Sequence, residues 1–261
     1  MVESVKRAIA ILRCFSLEEP ELGVTELSRR LKVHKSTVSR LLYTLQEENL
    51  VDRNPETRKY RLGVGLLGLS NLVLLQNNLR RVARPILDQL SRETQETVNL
   101  AIQEGNEAIN IEQVTPPNRR ISSIGWVGRH TPLHASSTGK VLLAYRTEKE
   151  MNEYFQNQLP RYTEYTITDI EKLRAELQKT IQRGYATGIE ELEIGLTAVA
   201  APIRNHTGQV VAALSVSGPS YRLPIKRLEE VSKDVIESAH AISAELGYID
   251  NAYTQNPEDH P

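Results

Sequence analysis

Val38, Leu41, Leu42 and Leu45 fall at i, i+3, i+4 and i+7, one apolar stripe of a 3.6-residue period. The spacing predicts a helix over 35–48. Its opposite face carries Ser36, Arg40 and Tyr43, with Thr37, Ser39 and Thr44 on the flanks and no acid before Glu47. A helix that is apolar behind and hydroxyl-plus-guanidinium in front suits a groove lined by phosphates and base edges. Upstream, Val5, Ala8, Ile9, Leu12 and Phe15 predict a helix over 3–16. Glu18-Glu19-Pro20-Glu21 breaks it, because proline cannot continue the hydrogen-bond ladder and the glutamates are solvated there. A second helix is expected from Thr25, as N-cap, burying Leu27 and Leu31. Downstream, LVDRNPETRKYRL reads as two short strands about the turn Asn54-Pro55-Glu56-Thr57. Three helices followed by a basic hairpin are the arrangement of a winged helix-turn-helix, here over residues 1–63.

From Gly63 the texture changes. Leu66, Leu67, Leu69, Leu72, Val73, Leu75, Leu79 and Val82 are too many for one narrow stripe, so a helix over 64–84 needs burial on more than one side. A second copy of the chain is the economical cover, which makes this segment a linker and a dimerisation element. Pro85 is expected to restart a helix running to about residue 94. From Thr97 the pattern is mixed: TVNLAIQEG and AINIEQV predict a hairpin turned at Glu104-Gly105-Asn106. Helices are expected from about Thr138, over 148–157 and over 169–183. The strand-like runs YATGIEE, LTAVAAPIRN and VVAALSVSG follow, then a closing helix over 224–246. Strands in sequence neighbourhood with flanking helices predict an α+β domain over 85–249, an antiparallel sheet with helices on its faces. The tail 250–261, NAYTQNPEDHP, has the composition of disorder.

Charge adds a division that the total hides. The 261 residues sum to −1, but residues 1–84 hold 15 Lys/Arg against 9 Asp/Glu, net +6, and residues 85–261 hold 17 against 24, net −7. A basic N-terminal third on an acidic remainder implies a DNA-facing module joined to one that faces something else. The single cysteine, Cys14, excludes an internal disulfide and falls on the apolar side of the first helix. No run of 18 apolar residues and no leader pattern is present, so a cytoplasmic location without membrane partners is expected.

The segments SVKRAIAILRCF through VTELSRRLKVHKSTVSRLLYTLQEENLVDRNPETRKYRLG, then GRHTPLHASSTGKVLLA and GLTAVAAPIRNHTGQVVAALSVSGP, resemble the IclR family of bacterial transcription regulators in content, order and spacing. The resemblance covers nearly the whole chain. It implies a winged helix domain, a linker helix that pairs dimers, and a GAF-like effector domain that can assemble into tetramers. It also implies operators near catabolic genes and a small organic-acid or aromatic effector. Where the family often has cysteine this chain has Ala198, and where it often has aspartate ahead of Glu190-Glu191 this chain has Gly188; both bear on ligand choice.

On the DNA side, the planar fork of Arg40 can donate two hydrogen bonds to guanine, worth about 1–3 kcal/mol of base discrimination. Ser36, Thr37 and the adjoining N–H groups suit phosphate, Ser39 flanks them, and Tyr43 can pack on sugar or a thymine methyl. Lys35, Arg53, Arg58 and Lys59 are placed for backbone phosphates, with the wing tip in or beside the minor groove. The alternative is a solvated basic face, or a helix-turn-helix that binds protein.

On the effector side, Ser136, Ser137, Thr138 and Gly139 open a helix whose free N–H groups can hold a carboxylate, unless they form a plain cap. Ser215 and Ser217 alternate in a strand and either line a polar pocket or face water; the resemblance favours the pocket. Gly125 and Trp126 are expected to supply an apolar wall, and the resemblance adds Glu190 and Ala198. Gly63-Val64-Gly65-Leu66-Leu67-Gly68 fits G-x-G-x-x-G, but the charged strand before it is unlike a buried dinucleotide-binding strand. In SSTGKVLLA, valine follows Gly-Lys and His134 replaces the first glycine of a phosphate loop. His130 and His134 are separated by Pro132, with no cysteine near, so neither a metal nor another cofactor is expected. No catalytic constellation stands out. The rival reading is a metabolite sensor or enzyme carrying a vestigial helix-turn-helix.

Overall fold

Apolar spacing and turn chemistry account for most of the elements in the computed structural model, which describes residues 2–16, 19–69, 78–116 and 126–249. The chain divides into two compact units, residues 1–77 and 78–261. In the first, α1 (Glu3–Leu12), α2 (Val24–Leu31) and α3 (Lys35–Glu47) precede a hairpin of β1 (Val51–Arg53) and β2 (Tyr60–Leu62). Ile11, Leu22, Leu27, Val38, Leu42, Leu45, Val51 and Tyr60 form the core, so the stripe of α3 is buried as its period requires. The antiparallel register pairs Val51 with Leu62 and Arg53 with Tyr60, and Leu22 bridges to Tyr60 as a further rung.

Three local expectations need correction. α1 stops at Leu12 rather than near residue 16, with Arg13 as C-cap. The cap of α2 is Gly23, two residues before Thr25, and no side chain closes it. Nor are the breaker glutamates simply solvated: Glu19 pairs with Arg30, while Glu21 accepts from Asn54 Nδ2 at 2.6 Å and Thr57 Oγ1 at 2.8 Å. Those hydrogen bonds, Asn54 first, hold the Glu21 carboxyl below its ordinary range and pin the turn of the wing. Asn54 Oδ1 in turn accepts from the N–H groups of Glu56 and Thr57, the self-bonding that suits asparagine to turns.

Gly63 and Gly65 serve close packing. A Cβ at either would lie 2.3 Å or 2.7 Å from the carbonyl oxygen of Asn49, which accepts the Gly65 N–H. Residues 65–69 begin a helical stretch. Residues 70–77 of the leucine-rich segment predicted as the linker lie outside the described residues, as do Gly125 and the tail 250–261.

The second unit begins with α4 (Asn78–Thr94), which runs through Pro85 instead of restarting there. Proline removes one N–H, but Ala83, Leu87 and Leu90 bury fully on either side of it and hold the helix. Six strands follow the order β5-β4-β3-β8-β7-β6, every neighbour antiparallel. They are β3 (Thr97–Glu104), β4 (Glu107–Val114), β5 (His130–Pro132), β6 (Ala186–Ile189), β7 (Leu196–Arg204) and β8 (Val210–Pro219). The short edge strand β5 was not expected.

One sheet face packs through Val98, Leu100, Val199 and Leu214 on α4 and the closing helix α8 (Ile225–Glu245). The other carries Ala101, Ala108, Ala200 and Ala213, whose small side chains let α5 (Ser137–Ala144) lie close. Behind α5 pack α6 (Glu148–Phe155) and α7 (Ile170–Arg183).

Candidate DNA-reading helix and ligand cavity

In the first unit the outward face of α3 is what its sequence predicts. Lys35, Ser36, Ser39, Arg40 and Tyr43 are exposed, Tyr43 at 64%, while Val38 and Leu42 behind them are fully buried. Thr37 is half-buried. Among the described residues the Arg40 guanidinium has no partner, so its fork remains available. The start of the helix differs from expectation, because His34 already caps it. Its Nδ1 accepts the Ser36 N–H at 3.4 Å and lies 2.8 Å from Ser36 Oγ, and its carbonyl accepts the Thr37 N–H. The N–H groups of Ser36 and Thr37 are therefore engaged, and contacts to phosphate fall to side chains.

On the wing, Arg58 and Lys59 are exposed, and Arg58 adopts a left-handed conformation with φ 56°. Arg53 bends back: its Nε donates to the Arg58 carbonyl at 3.2 Å and its guanidinium stacks on the Tyr60 ring. Arg61 is paired with Asp52 at 2.7 Å, which leaves Arg58 and Lys59 as the wing's outward cations.

In the second unit, the polar residues that interrupt the alanine face of the sheet sit where α5 begins. Between them lies a partly open cavity of about 60 Å³. Ser136, Ser137 and Thr138 line it from the helix, Ser215 and Ser217 from β8, Ala198 from β7, and Trp126 from the loop before β5. Ser136 is the N-cap and accepts the Gly139 N–H at 3.1 Å; the first-turn N–H groups of Ser137 and Thr138 have no intrahelical acceptor. Gly188 backs onto this point, where a Cβ would lie 3.2 Å from Ser137 N, so the absence of a side chain keeps the space before those donors open.

Two predicted residues lie outside the wall. Gly139 faces backbone, for a Cβ there would sit 2.5 Å from Leu133 Cα, and its N–H is spent on the cap. Glu190 turns away with φ 57°, its N–H bonded to the Leu196 carbonyl and its own carbonyl accepting from Thr163 Oγ1. Its neighbour Glu191 is the buried one. Lys140 Nζ donates to Glu191 Oε1 at 2.6 Å, with Lys140 only 1% exposed, and burial raises the Glu191 carboxyl above its ordinary range. The cation beside the helix start is thus neutralised, and the donor groups open to an anion are backbone N–H and hydroxyl.

Sequence reasoning missed Asn99, Asn110, Thr131, Leu192 and Leu196 as further wall residues. An asparagine in a strand has no periodic signature; only the serines opposite, brought alongside by the register of β3 and β8, mark its role. The two histidines go separate ways. His130 lies 3.3 Å from both Glu104 and Glu107, whereas His134 is buried against Tyr154 Oη and the Pro160 carbonyl. Among the described residues no group of three or more His, Cys, Asp or Glu is arranged to hold a metal ion, and no helix is long and apolar enough to cross a membrane.

Both halves of this arrangement match one family. The model of the IclR helix-turn-helix domain matches residues 4–55, and that of the bacterial transcriptional regulator IclR C-terminal domain matches residues 71–244. The chain belongs to the IclR family. Its relatives in that family include the HTH-type transcriptional regulator XynR of Escherichia coli, 36% identical over 251 residues that cover 95% of this chain and 98% of XynR. The HTH-type transcriptional repressor AllR of Escherichia coli is 33% identical over 246 residues, 94% of this chain and 90% of AllR. A solved IclR homologue from Microbacterium hydrocarbonoxydans, complexed with 4-hydroxybenzoate, gives a TM-score of 0.81 at 28% identity, covering 94% of this chain and 99% of that one. These IclR proteins are DNA-binding transcription regulators and not enzymes, so the reading of an enzyme with a vestigial helix-turn-helix falls away.

Proposed function

We propose that this IclR regulator is a ligand-released repressor acting on operator DNA as a homodimer that can pair into a tetramer. In this reading residues 1–63 bind DNA, 64–84 connect and dimerise, and 85–249 hold the effector. α3 enters the major groove, Arg40 reads a base edge, Tyr43 packs beside it, and Lys35, Arg58 and Lys59 hold phosphates. A small organic or aromatic acid binds the cavity with its carboxylate on the Ser137 and Thr138 N–H groups, where the helix dipole favours an anion. The observation that carries the DNA reading is the exposed Arg40 and Tyr43, unpaired among the described residues, on a helix whose other face is core. The 4-hydroxybenzoate complex of the Microbacterium homologue supports an acid as effector, and the name of AllR supports repression. A protein that reads operators works in the cytoplasm.

A gel-shift titration with the chain's own upstream intergenic DNA tests this. Arg40→Ala should relax base preference, costing about 1–3 kcal/mol on the preferred site and little elsewhere. Lys59→Ala should weaken all DNAs alike and flatten the salt dependence by about one unit of slope. If both variants bind as the parent does, α3 and the wing do not dock as described.

A further inference from the structure

The strand wall of the cavity holds an unsatisfied amide oxygen that a bare carboxylate cannot complete. Asn99 on β3 is 7% exposed and lines the cavity. Its Nδ2 donates to Ser217 Oγ at 3.0 Å, while its Oδ1 is buried without a partner. Directly across the ladder its register partner on β4 is Gln113. Gln113 Oε1 accepts the Trp126 N–H at 3.0 Å, and since a backbone N–H can only donate, this fixes the amide with Nε2 as its other end. That Nε2 is also buried without a partner. One orphan acceptor and one orphan donor thus stand on cross-strand neighbours, whose Cβ atoms lie about 5 Å apart in such pairs.

We propose that the cavity selects acids that also carry a hydroxyl, and that Asn99 is the residue that tests for it. The inference rests on the reading of this cavity as the effector site. A hydroxyl is the simple ligand group that donates and accepts at once. Placed against the wall it donates to Asn99 Oδ1, which lines the cavity. A carboxylate or ketone oxygen there has no proton to give and faces the lone pairs of Oδ1. The helix start supplies the opposite chemistry, donors only, from the N–H groups of Ser137 and Thr138. One end therefore takes the carboxylate and the other the hydroxyl, and an unsubstituted acid leaves the buried Asn99 oxygen unpaired. A site built to hydrogen-bond a hydroxyl rejects the analogue lacking it far more strongly than an apolar pocket rejects a missing methylene.

The test uses the full chain and calorimetric titration with matched acids, 4-hydroxybenzoate against benzoate and 3-hydroxypropionate against propionate. The hydroxy acid of at least one pair should bind ten-fold or more tighter than its deoxy partner. Asn99→Leu, close in size and free of the orphan, should bring that ratio to within about two-fold while the deoxy acid still binds. Asn99→Ala serves the same purpose if leucine does not fit. Equal binding of both members of every pair by the parent protein overturns the inference, and so does an Asn99 variant that keeps the ratio. Ala198→Phe, which fills the cavity from β7, separates the two readings. If it abolishes acid binding but the parent shows no hydroxyl preference, only the inference about Asn99 falls. If acids bind undiminished to Ala198→Phe, or none of them binds the parent, the effector-site reading falls and this inference with it.

Discussion

At the scale of single residues, burial decides what a titratable group can do, and His134 is the clearest case. It is 1% exposed, with Nε2 2.9 Å from the Pro160 carbonyl and Nδ1 2.9 Å from Tyr154 Oη. A carbonyl only accepts, so Nε2 carries the proton and Nδ1 accepts from the tyrosine. Burial pushes the Tyr154 hydroxyl up to about 12, so it stays protonated and able to donate. Burial likewise lowers the His134 pKa below 6.5, since a charged ring would be desolvated, and the positive charge of Lys140 adds to this. The unfolded chain then binds more protons than the folded one between the ordinary histidine pKa and the lowered folded value. The stabilisation is complete above about pH 6.5 and is lost progressively as pH falls below it. The melting temperature should therefore drop as the buffer goes from pH 7.5 to pH 5, and His134→Gln, which keeps an amide donor for Pro160, should show a shallower drop. Parallel slopes for parent and variant would remove His134 from the acid response.

Between elements, the contact that most depends on local irregularity joins α4 to the sheet. Leu100 pairs with Glu112 but Ala101 pairs with Asn110, which leaves Ile111 as an extra residue on β4. Without this bulge, Asn110 and Glu112 would share a face by strict alternation. With it, Asn110 lines the cavity while Glu112, 4% exposed, turns to α4 and receives Arg80 and Arg84. Glu112→Ala should cost about 1.5–3 kcal/mol in a urea melt, the range for hydrogen bonds to a charged group, because the arginines remain partly exposed and can rehydrate. Unchanged stability would mean that helix burial alone holds α4. Neither the bulge nor its consequence was legible in the sequence, where EAINIEQV shows only alternation. What was legible was whatever a single element decides: the stripe of α3, the turn at Asn54, the helix start at Ser136, the serines of β8. What escaped depended on partners far along the chain. Asn99 is read through Ser217, 118 positions away, and the course of α4 through Pro85 depends on packing that propensity cannot weigh. The early end of α1 escaped for the converse reason, since Cys14 and Phe15 continue the apolar pattern and pack on the core without being helical.

For the molecule as a whole, two compact units of opposite charge balance, +3 over residues 1–77 and −4 beyond, must exchange free energy if one is to answer the other. An effector changes operator affinity only by the difference between its own affinities for the DNA-bound and free forms. Linkage makes this symmetrical: if the acid weakens operator binding by some factor, the operator must weaken acid binding by the same factor. For a regulator of this kind the factor should be about 5–150, a coupling of about 1–3 kcal/mol. The expected result is that the tightest-binding acid of the matched pairs loses that factor in affinity when titrated into protein saturated with operator, and that the same acid at saturation raises the operator Kd equally. Both titrations belong at one salt concentration, because phosphate contacts make every DNA affinity salt-dependent. The protein concentration is held fixed, since any change of oligomeric state would enter the same cycle. An acid that stabilises the folded chain yet leaves operator affinity within two-fold would show that the cavity and α3 are not coupled. The orphaned amide oxygen of Asn99 would then serve binding alone, and release of DNA would have to originate outside this cavity.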